Sequence, residues 1–310
     1  MEPDHAAMIE AVLVRWPDLR LVVNAKTLPM LKMYFPTDSA AFDDALVVKE
    51  GDTLSLGTHE LTFVSAPMVH WPEVTVSYEK SEKVLFAADA FGKFGALQNE
   101  TDDWACEARR YYFNIVGKYG VQVQALLKKL AAFDIKAICP LHGPVLTENL
   151  SYYLGLYDTW SSYKAESKGT FIAYAGVYGN TREAALALAE ELESRGEKTV
   201  VTDLARSDMA EAVEDAFRYD KTVFAATTLD GGIFPVMDDF IRHLKAKNFQ
   251  NRKVGIIENG SWAPMSGKLM RAMLEEQKNI TFADTVITCR SAVPDNIREL
   301  CARLADELLA

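Results

Sequence analysis

Between residues 170 and 309 five short apolar runs alternate with five amphipathic patterns, and this alternation constrains the chain more than any other feature. The runs are Thr170–Tyr174, Lys198–Leu204, Lys221–Thr227, Lys253–Ile257 and Thr281–Thr288. The helical patterns are Thr181–Arg195, a stretch near Met209–Phe217, Pro235–Ala246, Pro264–Glu276 and Pro294–Leu309. In the first of these Ala185, Leu188, Ala189 and Leu192 recur at i, i+3, i+4 and i+7, one face of a helix. Strands joined by helices in this rhythm predict a doubly wound, five-stranded parallel sheet.

The first half follows a different rule. Leu19–Ala25 is a strand candidate and residues 27–35 form a short helical pattern. Short strands are predicted at Ala45–Val48, Leu54–Leu56, Glu60–Ala66, Thr75–Tyr78 and Lys83–Ala88. Helical patterns near Asp102–Val116 and Val121–Phe133 lead to a strand at Ile135–Cys139. Residues 151–168, polar and aromatic, break the pattern and are expected to be a linker. The chain of 310 residues therefore divides into domains at 1–160 and 168–310, in line with about 150 residues per domain.

Composition narrows the partners. The net charge of −11, from 33 basic and 44 acidic residues, repels phosphate backbones, so nucleic acid and anionic membrane surfaces are not expected partners. No apolar run reaches the roughly 18–20 residues that span a bilayer. No basic-then-apolar leader is visible, and the expected location is the cytoplasm. The four cysteines form no CxxC pair, which leaves no disulfide scaffold, four-cysteine zinc site or rubredoxin-type iron site within this chain.

In a doubly wound sheet ligands sit beyond the carboxyl ends of the strands. Three loops leave such ends. Gly176, Val177, Tyr178, Gly179, Asn180 and Thr181 form a glycine-containing turn into a helix, where converging N–H groups and the helix dipole make a cradle for one phosphate. No lysine follows the glycine, so this is not a Walker loop. Thr228, Leu229, Asp230, Gly231 and Gly232 form the second loop, and Asn259, Gly260, Ser261 and Trp262 lie in the third. Small residues for close approach and aromatics for stacking suit a flat heteroaromatic ring with a single phosphate tail, which is flavin mononucleotide (FMN). The arrangement resembles the flavodoxin fold. It departs from it at Gly176, where the pattern has Ser or Thr; loss of that hydroxyl is expected to weaken binding or shift it onto backbone N–H groups.

Five histidines are present. His59, in a hairpin turn, and His243, beside Arg242 on a helix, read as surface residues. His5, His70 and His142 stand at strand ends or turns, and Asp89 ends an apolar strand, where an unpaired carboxylate is costly. Their order resembles that of the metallo-β-lactamases. The segments Glu2-Pro3-Asp4-His5, Ala66–Pro72, Asp89–Gly92 and Pro140–Pro144, together with the second half, resemble the flavodiiron proteins, which fuse a metallo-β-lactamase-like αββα sandwich to a flavodoxin domain in this order.

The resemblance implies two irons, held by Glu2, Asp4, His5, His70 and His142, with Asp89 bridging them. Hydrolytic relatives carry histidine where Glu2 stands. The added anionic oxygen suits redox-active iron better than zinc. The resemblance further implies an oxidoreductase that passes electrons from FMN to the iron pair and reduces O2 to water, NO to N2O, or both. It implies a separate donor, such as rubredoxin or an NAD(P)H-dependent reductase, and a head-to-tail homodimer or higher oligomer. The family motif begins with a histidine that would stand one place before Met1. On that ground an N-terminally truncated chain is expected, with one iron short of a ligand and an incomplete first domain. The alternatives are a flavodoxin-like FMN carrier with a non-functional metal domain, and a zinc hydrolase with a structural flavodoxin partner.

Overall fold

The structure is a computed structural model, and it describes residues 1–36, 40–99 and 103–310. The chain forms two compact units, Met1–Ser161 and Ser162–Ala310.

The first unit opens with helices α1 (Pro3–Ala6) and α2 (Ile9–Arg15), strand β1 (Val22–Asn24), helices α3 (Thr27–Tyr34) and α4 (Ala40–Asp43), and strand β2 (Leu46–Val48). Strands β1 and β2 pair in parallel. Leu13, Val23, Leu31, Phe35 and Phe42 pack together beside them. Strands β3 (Thr53–Ser55), β4 (Glu60–Ser65), β5 (Thr75–Glu79) and β6 (Val84–Phe86) form an antiparallel meander, and β7 (Ala137–Cys139) joins β6 in parallel. The meander follows from period-two patterning and tight turns, such as that between β3 and β4 with Gly57 at φ +88°.

Helix α5 (Trp104–Tyr111) runs into a π-helical turn over Tyr112–Val116, and α6 (Gly120–Leu130) follows. Asp103 caps α5 by accepting from the Cys106 N–H at 3.2 Å; the expected start at Asp102 lies outside the described residues. Residues 151–161, expected as linker, belong instead to α7 (Leu150–Ser161), which buries Tyr157 and Trp160. Its polar residues hid an aromatic face. Burying that face stabilises the helix more than its sequence propensity does.

The second unit is the doubly wound sheet. Its strands are β8 (Ser167–Ala175), β9 (Thr199–Asp203), β10 (Tyr219–Leu229), β11 (Gly232–Ile233), β12 (Arg252–Asn259) and β13 (Ile280–Cys289). Its helices are α8 (Asn180–Ser194), α9 (Met209–Arg218), α10 (Pro235–Ala246), α11 (Ser266–Glu275) and α12 (Ile297–Leu309). The five parallel strands lie in the order β9-β8-β10-β12-β13, which by sequence rank is the flavodoxin-like 2-1-3-4-5. Ala184, Leu188 and Leu192 of α8 and Leu304 and Leu308 of α12 share one core with Ile172, Val223 and Ile257 of the sheet. The short β11 adds an antiparallel hairpin to the end of β10.

At the start of α9 the Asp208 carboxylate accepts from the Ala210 N–H at 2.7 Å. Asp208→Ala removes that cap and is expected to cost about 1 kcal/mol of stability, read as a lowered urea midpoint with an unchanged slope.

Candidate metal and flavin sites

In the first unit, β6 and β7 are parallel neighbours with Phe86 opposite Cys139, so the loops that leave them start side by side. The Ala87 N–H donates to the Cys139 carbonyl and the Leu141 N–H to the Ala88 carbonyl, which locks Asp89 beside His142. Gly92 must be glycine, because a Cβ there would stand 2.9 Å from the Asp89 carbonyl and 3.2 Å from that of His142. His70 reaches the same place from the loop after β4. Pro3 at the first position of α1 starts the turn that presents Glu2, Asp4 and His5.

All six residues meet. His70 Nε2 is 2.9 Å from Glu2 Oε2 and 3.3 Å from Asp89 Oδ2. Asp89 Oδ1 is 2.8 Å from His5 Nε2 and 3.7 Å from His142 Nε2, which stands 3.3 Å from Asp4 Oδ2. Two groups of three could each hold an ion: Asp4, His5 and His142, and Glu2, His5 and Asp89. Asp89 lies centrally, with one oxygen toward His70 and the other toward His5 and His142.

The electrostatics follow from burial and charge. Burial opposes ionisation of Asp89, yet the His70 hydrogen bond and the charges of His5, His70 and His142 hold its carboxyl below the usual range. Burial would lower His70, but the Asp89 hydrogen bond and the Glu2 and Asp89 charges raise it overall. His5 Nε2 and Asp89 Oδ1 are buried, 2.8 Å apart, and make no hydrogen bond. Two buried polar atoms without hydrogen bonds, a ring nitrogen and a carboxylate oxygen side by side, are costly unless a cation satisfies both.

Sequence reasoning missed Tyr111 and Tyr157. The Tyr111 ring lies 5.7 Å from that of His142, and burial followed by the Asp89 charge pushes its phenol up, so it stays protonated. The Tyr157 hydroxyl accepts from the Phe91 N–H at 2.7 Å and braces the turn that carries Asp89. His59 is near Glu79 and Ser81, and His243 is 3.6 Å from Asp239; both stand apart from the cluster. A cavity of about 250 Å³ reaches Glu2, His5 and Asp89 between walls that include Val22, Val23, Val48 and Phe63.

In the second unit Ala175 pairs with Ala226, and Thr227 with Asn259, so the three expected loops leave the sheet at one level. Gly179 adopts φ +93° and opens α8, whose first-turn N–H groups have no intrahelical acceptor. Thr181 is buried, and its hydroxyl lies 2.8 Å from that of Thr227 and 3.4 Å from Asn259 Nδ2. Asn259 also bonds to Ser291, a residue that sequence reasoning did not single out. Thr228 Oγ1 accepts from the Met265 and Ser266 N–H groups.

The second loop is tighter than expected. Asp230 (φ +50°) and Gly231 (φ +72°) form a two-residue hairpin turn, with Leu229 opposite Gly232. The Asp-Gly pair is the sequence signal for such a turn. Tyr178 and Trp262 are 91% and 89% exposed, which leaves both rings free to stack on a ligand. A cavity of about 400 Å³ adjoins Gly176 and Gly179, with Arg182 and Arg206 on its wall.

Residues 1–143 match the family described as ODP family beta lactamase. The chain is 26% identical over 273 residues to the anaerobic nitric oxide reductase flavorubredoxin of Escherichia coli O1:K1, covering 84% of this chain and 56% of that one. It is 27% identical over 286 residues to a nitric oxide reductase of Moorella thermoacetica, covering 89% and 70%. In fold it resembles rubredoxin oxygen:oxidoreductase from Desulfovibrio gigas, with a TM-score of 0.90 at 23% identity over 99% of this chain and 78% of that one. The chain spans less than two thirds of the length of the first curated relatives it matches, from 37% to 62%.

A lactamase-like unit followed by a flavodoxin-like unit defines a lactamase–flavodoxin fusion. In sequence and in fold such a fusion is similar to the flavodiiron proteins.

Proposed function

We propose that this chain is a flavodiiron oxidoreductase that binds FMN on the second unit and two irons on the first, and reduces O2 to water, NO to N2O, or both. The observation that carries the reading is the convergence of three imidazoles on Asp89, with Glu2 beside His70 and Asp4 beside His142, and with His5 Nε2 and Asp89 Oδ1 facing each other without a hydrogen bond. Nitrogen and oxygen donors without sulfur suit non-haem iron. When bound, the flavin would supply electrons and the irons would deliver them to the gas.

The chain's own residues have distinct tasks. Glu2, Asp4, His5, His70 and His142 would hold the ions, and Asp89 would bridge them. The cavity beside the cluster, with apolar residues such as Val22, Val48 and Phe63 and polar ones such as Asn24 and Thr75 on its walls, would admit a small molecule to the ions. The N–H groups from Val177 to Thr181 would hold the FMN phosphate, and Tyr178 and Trp262 would flank the ring. The names of relatives support a rubredoxin-type donor. A head-to-tail homodimer would set the flavin of one subunit against the irons of its partner. None of the four cysteines is in a disulfide among the described residues, and reduced cysteines are the rule in a cytoplasmic setting. No helix among the described residues is long and apolar enough to cross a membrane.

The test is metal and flavin analysis of protein reconstituted anaerobically with ferrous iron and FMN, followed by gas-electrode assays with reduced rubredoxin. Two irons and one FMN per chain, with O2 or NO consumption, are expected. One FMN with no iron would leave an electron carrier, and zinc with esterase activity would leave a hydrolase. Iron and flavin without consumption of either gas would overturn the assignment.

A further inference from the structure

The aromatic stretch of α7 joins a longer column. The Phe91 N–H, two residues beyond Asp89, donates to the Tyr157 hydroxyl, and the Phe91 and Tyr157 rings are 4.5 Å apart. The Tyr157 ring is 5.5 Å from that of Trp160, which lies 6.2 Å from Trp104 with the planes only 12° apart. Trp104 is 4.6 Å from Tyr153, and Tyr153 is 5.5 Å from Tyr152, whose side chain is 51% exposed. No aliphatic residue interrupts the series. Packing alone would be served by leucine, whereas phenol and indole rings are the side chains that give up single electrons most readily.

We propose that Tyr157, Trp160, Trp104, Tyr153 and Tyr152 form a one-electron relay between the carboxylate–histidine cluster and the protein surface. The relay rests on the reading of that cluster as an O2-reducing iron site. Reduction of O2 to water takes four electrons and four protons. When the donor delivers fewer, the missing electrons leave the relay one at a time and the vacancy moves outward to Tyr152. There a thiol in solution refills it; two thiols give two electrons and two protons and form one disulfide. Trp104 suits a reversible station, because its Nε1 is buried with no hydrogen-bond acceptor among the described residues. An oxidised Trp104 therefore keeps its proton and accepts an electron back without proton movement.

Two measurements test the relay. In the first, the iron-loaded chain without donor is treated with hydrogen peroxide, each molecule of which takes two electrons and two protons to give two waters. Peptide mass spectrometry is expected to find hydroxylation concentrated on Trp104, Tyr153 and Tyr152. Trp104→Phe and Trp160→Phe should each lose the modification at Tyr152 and Tyr153 and gain it at Tyr157 and the histidines. In the second, a photogenerated ruthenium(III) tris-bipyridine oxidant removes an electron from exposed Tyr152 in the metal-free chain. Paramagnetic resonance should then detect a tryptophan radical at Trp160, lost in Trp104→Phe. Iron content, measured first, reports on the metal reading separately, and the second measurement needs no metal. The relay is overturned if both variants keep undiminished oxidation at Tyr152 and Tyr153, if oxidation scatters equally over Tyr178 and Trp262, or if no tryptophan radical forms.

Discussion

Asp89→Ala is expected to strip iron from the first unit and abolish gas consumption, while FMN binding on the second unit is unchanged. The carboxylate stands between three imidazoles, 2.8 Å from His5, 3.3 Å from His70 and 3.7 Å from His142. Its removal takes an oxygen from each ion position and the anion that offsets their positive charge. Losing a group that only supports a ligand typically costs 10–100-fold in metal affinity; losing the shared ligand should cost more than about 100-fold by the same scale. Without metal the substitution should also destabilise the first unit, because the fold holds Asp89 ionised through the His70 hydrogen bond and the His5, His70 and His142 charges despite its burial, and removing one partner of a buried charged set is destabilising. With metal, wild-type protein should gain thermal stability that Asp89→Ala cannot gain. Metal analysis beside thermal unfolding with and without ferrous iron separates these effects. Two irons retained by Asp89→Ala would remove Asp89 from the ligand set.

The parts of this molecule that could be read from sequence are those whose chemistry is local. The strands and helices of the second unit announce themselves because each buries one periodic face, as Ala185, Leu188 and Leu192 do in α8. The cluster residues are recognisable because costly polar groups stand at the ends of apolar strands, as Asp89 does after β6. Residues 151–161 misled because Ser151, Gly155 and Asp158 outweigh the pattern by composition. Tyr153, Tyr157 and Trp160, at i, i+4 and i+7, carried the helical signal. Tyr111 and Ser291 left no such trace. Their closeness to His142 and Asn259 arises from packing between elements distant in the chain, which no local pattern encodes.

Gly176→Ser is expected to destabilise the second unit and weaken FMN binding, although it restores the hydroxyl of the flavodoxin pattern. A Cβ at residue 176 would lie 3.0 Å from both Cβ and Oγ1 of Thr181 and 3.1 Å from Thr227 Oγ1. These are the two side chains whose hydroxyls pair at 2.8 Å. The space a serine would need is thus filled from the neighbouring strand, with Thr227 placing a hydroxyl next to it. Forcing the pair apart in a packed setting should cost about 1–3 kcal/mol. It should also tilt the first turn of α8, where the phosphate would bind, and raise the FMN dissociation constant. Thr227→Ala removes one of the three close contacts and lets the Thr181 hydroxyl turn away, while Thr181 Cβ stays 3.0 Å off, so Gly176→Ser with Thr227→Ala should recover part of both losses, a coupling that a double-mutant cycle measures directly. Flavin fluorescence titration and urea unfolding of the four proteins provide the readout. Tighter FMN binding by Gly176→Ser at unchanged stability would mean that the cradle lacks a hydroxyl and that Thr227 does not replace it.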